Sequence, residues 1–430
     1  MTRVWRPLSG CNNDGIMLDR AEDVYVYDVF SKRYFDANSG LWNVNLGYSN
    51  KIIKKAVADQ LEKLPFANPL LFYPEAAARL SEKLCLMLAE DITKVFFTCT
   101  GSEAIEVAIK LIRKYLSIKK KPQKKIAVFG NSYHGSYYGS MSASFFEGEN
   151  RGGYTPLLDG FISLGIPYIR VSGSISNSDA QNQLLIQLNR WLEKFGEDIC
   201  AIIIEPVIGS GGVIAPDKAY MNRLMEYCRG NDILVVCDEI ACGFFRCGKL
   251  FGFQYYEIHP DIVTLSKGLN NGYLPLGAVC IGERIAEAFS NRDAFLFHLS
   301  TQNLNPLAIA AAEATISQYN DALHEKVNKA SEFWTLRLNA LLQLNCVFSI
   351  RAYGLMFAVD FQDKDGNPLS LNRLISLIER IIDNGVLVGD SYIESVQSSI
   401  VMFPPYIASR QDIRRTVSVI NKAIIELIEW

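Results

Sequence analysis

An α/β protein built on a mostly parallel sheet is what this sequence predicts, and three observations carry the prediction. Short, continuously apolar runs recur at Val95-Phe96-Phe97, Ile126-Ala127-Val128-Phe129, Ala201-Ile202-Ile203-Ile204, Ile233-Leu234-Val235-Val236, Ile262-Val263-Thr264-Leu265 and Ala278-Val279-Cys280-Ile281. Continuous rather than alternating apolarity marks strands buried on both faces. Helical patterns lie between several of them: Ala104, Val107, Ala108, Leu111, Ile112 and Tyr115 step by three and four and make one apolar face. Strand and helix in alternation imply parallel pairing. Beyond about Ala310 the pattern changes to long helices with short strands at Phe357-Ala358-Val359, Val386-Leu387-Val388 and Ile400-Val401-Met402-Phe403, before a final helix near Ile413 to Ile428. That stretch reads as a smaller α+β region. A hairpin expected at Val24 to Asp28 and Tyr34 to Asp36 joins it from the other end of the chain. The expected division is residues 1–60 as an N-terminal segment of the small region, 61–309 as the large region, and 310–430 as the C-terminal part of the small region.

With 430 residues, 49% hydrophobic and 21% charged, the chain has the make-up of a folded enzyme rather than of a disordered or fibrous protein. A formal net charge of −3 leaves no electrostatic footprint for nucleic acid, and the run Lys119-Lys120-Lys121 with Lys124-Lys125 reads as a solvated loop. The 10 cysteines lack paired C-x-x-C spacing and several lie in apolar strands, which points to free thiols in a reducing, cytoplasmic setting. Cys237, Cys242 and Cys247 have neither zinc-like spacing nor neighbouring histidines, so no metal is expected. Met1 to Gly10, with Arg3, Trp5, Arg6 and Pro7, holds no long apolar run, and neither a signal peptide nor a membrane span is expected.

The chemistry sits just after the strands. Lys267 follows one predicted strand and Asp238 the strand before it. Together they supply what a pyridoxal phosphate enzyme needs: an amine for the cofactor aldehyde, and an acid that keeps the pyridine nitrogen protonated so that the ring accepts electrons. Separately, Asp238 reads equally well as an acid capping a turn, and Lys267 as an exposed lysine. Thr98-Cys99-Thr100-Gly101-Ser102-Glu103 opens a helix after another strand, placing backbone N–H groups where a phosphate binds; the plainer reading makes Ser102 an ordinary N-cap. Tyr133, in Tyr133-His134-Gly135, offers an aromatic face to a planar ring, and Glu205 follows a buried strand, though either residue alone has a structural explanation. Occurring in this order, each after a strand, these groups are expected to converge on one ligand.

With those residues in place the chain resembles the class III aminotransferases, the fold type I pyridoxal phosphate enzymes that include the ω-amine:pyruvate, ornithine, 4-aminobutyrate and diaminopelargonate aminotransferases. The resemblance runs nearly end to end. It is strongest in Ile204-Glu205-Pro206-Val207 with Gly209, Gly211 and Gly212, in Cys237-Asp238-Glu239-Ile240-Ala241-Cys242-Gly243-Phe244, and from Ser266-Lys267-Gly268-Leu269 through Gly272 to Ala278. It implies pyridoxal 5'-phosphate as cofactor, Lys267 as the residue that bonds the cofactor and carries protons, Asp238 as the pyridine partner, and Gly101 with Ser102 as the phosphate cup. It further implies Tyr133 on one ring face, Ile240 on the other and Glu205 near the cofactor's polar edge. Thr301, before Asn305-Pro306, matches a threonine that reaches the phosphate from the neighbouring subunit, which implies a homodimer with shared sites. Ser39-Gly40-Leu41-Trp42-Asn43 is most similar to the ω-amine:pyruvate branch, and Trp42 is the substrate-pocket candidate; its plainer reading is an anchoring core aromatic.

Two departures stand out. Leu299, Gln302 and Leu304 replace the glycines and aromatic usual before Asn-Pro, and Val386 to Pro405 holds no arginine to grip a substrate carboxylate, with Asp390 and Glu394 there instead. Arg246 and Arg351 match structural arginines. The resemblance therefore implies a ping-pong transfer from a donor amine to a carbonyl acceptor in which one partner is larger or uncharged, within a specialised biosynthesis. An aminomutase, racemase or decarboxylase of the same fold is the alternative, and a non-catalytic scaffold or ligand sensor the more distant one.

Overall fold

Three antiparallel strands come first: β1 (Leu18–Glu22), β2 (Tyr25–Asp28) and β3 (Arg33–Asp36), with Tyr25 opposite Phe35 in the expected hairpin. The computed structural model describes residues 3–9, 15–145, 152–171, 176–290 and 294–427. A central sheet follows, made of β4 (Ile92–Thr98), β5 (Lys125–Val128), β6 (Phe161–Ser163), β7 (Ile199–Ile204), β8 (Leu234–Asp238), β9 (Ile262–Leu265) and β10 (Gly277–Gly282). Its spatial order is β4-β10-β9-β8-β7-β5-β6. Every pairing from β6 to β9 is parallel, while β10 runs antiparallel to both β9 and β4. β4 therefore points the same way as β9, and only β10 is reversed.

β7, β8, β9 and β10 are buried at every position, as continuous apolar runs require when both faces are covered. Two clusters cover them. On one face, Ile126, Val128, Ala201, Ile203, Leu234 and Val236 pack with the apolar stripe of the helix Gly101–Ile118; on the other, Ala127, Ile202, Ile204, Val235 and Cys237 join the larger core. The alternation follows from the two-residue period of a strand.

The C-terminal part adds β11 (Val347–Tyr353), β12 (Met356–Phe361), β13 (Val386–Leu387), β14 (Gly389–Ile393) and β15 (Gln397–Met402). β11-β12-β15-β14 form an antiparallel sheet, and β13 pairs in parallel with β3, so the two ends of the chain share a second small sheet. The last helix spans Arg410–Leu427; Ile428, to which it was expected to run, lies outside the described residues. Sequence patterning misses β1, β6, β11 and β14, which are short, edge-placed or too polar to show a run.

One buried cation holds these parts together. Arg246, 1% exposed, donates through Nη1 to the carbonyls of Leu355 (3.2 Å) and Pro404 (2.7 Å), and through Nη2 to Asn45 Oδ1. Its guanidinium lies 4.8 Å from the centre of the Tyr406 ring. Arginine suits this task because its planar fork serves several acceptors at once. The structural role expected for Arg246 and Arg351 agrees with these partners: Arg351 bonds Gly212 O (2.8 Å), Gln397 Oε1 (2.6 Å), Ser399 Oγ (3.0 Å) and Asp360 Oδ2 (3.3 Å). The nine described cysteines are free thiols, and no described helix is long and apolar enough to cross a membrane.

Replacing Arg246 with alanine leaves buried carbonyls without donors. It should lower unfolding stability by about 1–3 kcal/mol for each carbonyl left unsatisfied, read as a fall in the urea midpoint of the cofactor-free protein. An unchanged midpoint would show that the guanidinium does not join the termini to the large region.

Candidate active site

β4, β5, β7, β8 and β9 all point one way, so their C-terminal ends share an edge of the sheet. In open α/β sheets that edge is where ligands bind. Ser102, Tyr133, Glu205, Asp238 and Lys267 all follow or end those strands, as expected from their order.

Asp238 ends β8 and is 2% exposed. Its carboxylate is fixed from both sides: Oδ2 accepts from His134 Nδ1 at 2.7 Å, and Oδ1 accepts from Thr264 Oγ1 and the Ile240 N–H, each at 3.1 Å. Because a carboxylate only accepts, Nδ1 of His134 carries the proton. His134 Nε2 is buried with no partner among the described residues. No role is assigned to His134 or to Thr264 from the sequence. Thr264 had a signal, being the one hydroxyl in an otherwise apolar strand, and the β8–β9 register sets it opposite Asp238.

Lys267 opens a single turn, Lys267–Leu269, with φ of 36°, a left-handed conformation that costs a side-chain-bearing residue energy. The turn is held by Ser266 Oγ on Leu276 O (2.7 Å) and Tyr319 OH on Gly268 O (2.7 Å). A Cβ at Gly268 would come within 2.6 Å of Asn45 Nδ2, so only glycine fits there. Burial pulls the Lys267 ammonium below the ordinary lysine range, although the Glu205 and Asp238 carboxylates push it upward. Glu205, 3% exposed, accepts from the N–H groups of Tyr133 (3.1 Å) and Gly209 (3.0 Å). Burial raises its pKa above the usual carboxylate value and Asp238 adds to this, while His134 opposes it.

The helix after β4 starts at Gly101, and its N-cap is Thr100, whose Oγ1 accepts from the Glu103 N–H at 3.0 Å. Ser102 is therefore not the cap, and that plainer reading is corrected: Ser102 Oγ instead accepts from the Ser136 N–H at 3.2 Å. A Cβ at Gly101 would lie 3.0 Å from Ile240 Cδ1 and 3.3 Å from Ser266 Cβ. Gly101, Ile240 and the Lys267 turn thus meet across one narrow gap. Tyr133 is 39% exposed, with its hydroxyl 2.7 Å from Ser136 Oγ, and Thr301 lies exposed in a turn of its own.

Trp42, far away in sequence, reaches the same place. Its ring stacks on Phe403 at 4.0 Å and 18°, and Lys267 Nζ sits 4.4 Å from the ring centre. Ser39 Oγ fastens the segment to Phe403 O at 2.6 Å. Trp42 is partly exposed, with φ of 68°, and packs against the buried cluster that holds Val207 and Phe403. No sequence signal paired Trp42 with Phe403.

Asp390 does not stand in for the missing arginine. The register pairs Gly389 with Val401, Asp390 with Ile400 and Ser391 with Ser399. Residues paired in this way share a face. The face of Gly389, Ser391, Gln397 and Ser399 meets the loop after Glu205, through Ser391 Oγ on Ser210 O (2.9 Å) and Gln397 Nε2 on Gly211 O (2.6 Å). Asp390 is on the opposite face, with Ile400 of the main core.

Comparison with known proteins agrees with this geometry. The profile of the family described as Aminotransferase class-III matches residues 9–424. An uncharacterised aminotransferase of Bacillus subtilis (strain 168) is 30% identical over 98% of this chain and 94% of its own length. A putrescine–pyruvate aminotransferase of Pseudomonas aeruginosa is 29% identical over 95% and 90%. An amine transaminase from an uncultivated Pseudomonas species, solved in its PLP-bound form, superposes with a TM-score of 0.90 at 28% identity, covering 99% of each chain.

The burial of Lys267 makes a prediction that can be checked without cofactor. Its acetylation rate, followed by mass spectrometry, should rise with pH at a lower midpoint than that of surface lysines. Glu205→Gln removes a charge that favours the ammonium, so it should move the midpoint lower still. A midpoint equal to that of the surface lysines would contradict the assigned environment.

Proposed function

We propose that this chain, which belongs to the class III aminotransferase family and is a pyridoxal phosphate-dependent aminotransferase, uses Lys267, Asp238, Glu205 and Trp42 to move an amino group from a donor amine or amino acid to an uncharged carbonyl acceptor. The single observation that carries the assignment is the pairing of a buried amine with a pinned, buried carboxylate at one sheet edge. The relatives are transaminases, which disfavours the aminomutase, racemase and decarboxylase alternatives and the non-catalytic ones.

The residues fit the cofactor. Gly101 and Ser102 with the helix N-terminus would seat its phosphate, and Asp238 would meet its pyridine nitrogen. Tyr133 and Ile240 would flank the ring, and Glu205 would lie near its polar edge. The gap that a Cβ at position 101 would close, and the unpartnered Nε2 of His134, are what a site shaped for a further polar group has. When bound, pyridoxal phosphate supplies a carbonyl carbon that takes the amino group and a ring that accepts an electron pair.

Each protein group then has one task. Burial shifts Lys267 Nζ toward its neutral form, in which it would serve as nucleophile toward a carbonyl carbon and as the base that takes and returns a proton at the donor carbon. Asp238 holds the proton on the ring nitrogen, and His134 and Thr264 keep its carboxylate aimed. Glu205, held by the N–H groups of Tyr133 and Gly209, favours the Lys267 ammonium and so opposes the effect of burial on it. Trp42, stacked on Phe403, closes the substrate side and limits the size of what enters.

The acceptor assignment rests on committed arginines. Arg246, Arg351 and Arg170 each give Nη donors to protein acceptors, with Arg170 on Asp360 Oδ2 at 2.8 Å, while Nε of Arg246 and of Arg170 is buried without a partner among the described residues, away from any carboxylate-gripping pose, and the face of β14 that meets the loop after Glu205 carries Gly389 and Ser391. A bidentate grip on a carboxylate needs a guanidinium with free donors. Two further readings complete the proposal. A homodimer with Thr301 reaching the partner's phosphate is supported by the exposed apolar segment Leu70, Leu71, Phe72 and Tyr73 and by Phe295, Phe297 and Leu299, a patch of the sort that marks an interface. A cytoplasmic setting is supported by the free thiols of the nine described cysteines.

A donor amine added alone should convert the bound cofactor's absorption and release one carbonyl product per site; absence of that half-reaction would sink the transfer mechanism. Lys267→Ala should lose about 10²–10⁴-fold in turnover from the missing proton carrier alone. Aldehydes should saturate the second half-reaction at lower concentration than simple α-keto acids, and saturation by α-keto acids at low concentration would overturn the acceptor assignment. Sedimentation should give twice the 48.2 kDa of the chain.

A further inference from the structure

Residues 294–301 form a strap that pairs with no strand among the described residues and is tightened by a turn in which the His298 N–H bonds Leu296 O at 3.0 Å. Its exposure nevertheless alternates as a strand's does. Phe295, Phe297, Leu299 and Thr301 face outward, while Leu296, His298 and Ser300 are partly covered. A two-residue alternation without a backbone ladder requires side chains to hold the inner edge in place.

Glu103 does this. Its carboxylate, 5% exposed, sits in the first turn of the Gly101–Ile118 helix. Oε2 accepts from the Cys99 N–H at 2.7 Å, and Oε1 accepts from His298 Nε2 at 2.9 Å and Asn303 Nδ2 at 3.1 Å. Lys110 Nζ lies 3.2 Å from His298 Nδ1. An ammonium only donates, so Nδ1 is the acceptor and Nε2–H points at Glu103. Asn303 also takes the Ser300 N–H on Oδ1 at 2.6 Å and gives to Phe97 O at 3.2 Å. Burial pushes the Glu103 carboxyl up in pKa, but His298, the Cys99 N–H and Asn303 together bring it below the ordinary value.

We infer that Glu103 is a positioning residue for the shared site: it locks the strap through His298 and Asn303, so that Thr301 and the apolar outer edge are presented in a fixed pose to a second copy of this chain. This rests on the homodimer reading above. The same side chain also braces the turn that begins the phosphate seat. One carboxylate therefore couples each subunit's own seat to the residue it offers its partner. The departures noted in sequence, Leu299 in the strap and Gln302 and Leu304 just after it in place of glycines and an aromatic, fit this lock: a segment with fewer flexible residues, held from inside, loses less conformational entropy when it docks.

The experiment is a cycle of Glu103→Gln, His298→Ala and Thr301→Ala, reading the dissociation constant for pyridoxal 5'-phosphate by titration of dialysed protein, with oligomeric state by sedimentation. His298→Ala releases the strap and leaves the Glu103 to Cys99 contact intact, so it keeps the test valid if Glu103→Gln fails to fold. Thr301→Ala alone should weaken cofactor binding about tenfold. His298→Ala and Glu103→Gln should each do the same, and each should add less than about twofold when Thr301 is already alanine. Equal effects in both backgrounds would overturn the positioning role while leaving the shared site intact. An unchanged dissociation constant for Thr301→Ala would overturn the shared-site reading, and the inference with it.

Discussion

A carboxylate and an amine drawn out of water at the same sheet edge set the terms for everything around them. Asp238 and Lys267 end adjacent parallel strands, so the β8–β9 pairing brings both into one place before any ligand is considered. A charge in such a place is costly unless it is hydrogen-bonded. Asp238 answers with three donors, from His134, Thr264 and the Ile240 backbone. Among the described residues Lys267 has no comparable set of acceptors, and burial lowers its hold on its proton. A fixed anion beside an amine that is easily neutralised suits chemistry in which the amine attacks a carbonyl while the anion holds positive charge on a ring.

Holding that edge rigid takes both ends of the chain. Trp42 belongs to the N-terminal segment and Phe403 to the exit of β15, yet their stacked rings lie beside Lys267. Arg246 bonds Asn45, Leu355 and Pro404, so it fixes the segments that carry both rings. Arg351 and Gln397 tie the C-terminal sheet to Gly211 and Gly212, on the loop that follows Glu205. A shift of the small sheets would therefore disturb the pocket wall and the Glu205 loop together, which couples the shape of the substrate space to the electrostatics of the lysine.

Much of this was legible before any coordinates. The central strands show because burial on both faces demands unbroken apolar runs, and Lys267, Asp238 and Glu205 show because each is a charge set directly after such a run. What was hidden depends on register and on long-range stacking. Thr264 matters only once β8 and β9 are aligned, His134 only once its strand lies near Asp238, and Phe403 only once the C-terminal sheet folds against Trp42. The helix start was misjudged for a local reason: Ser102 and Thr100 are both good caps, and the hydrogen bond from Glu103 N–H selects Thr100.

The same dependence on register decides what the missing arginine means. In the sequence, Asp390 and Glu394 stand in the stretch that lacks the arginine. β14 is short and polar, so its faces cannot be assigned from sequence. Its pairing with β15 sends Asp390 to the side of Ile400 and leaves Gly389 and Ser391 toward the loop after Glu205. Under the proposed reading, the part of the substrate space nearest Lys267 is then walled by the stacked rings of Trp42 and Phe403. Such a pocket discriminates by fit and by apolar contact, where one methylene changes binding by about 1–3 kcal/mol. Preference among uncharged carbonyl compounds should accordingly be graded with size and shape, without the sharp threshold that a buried ion pair imposes.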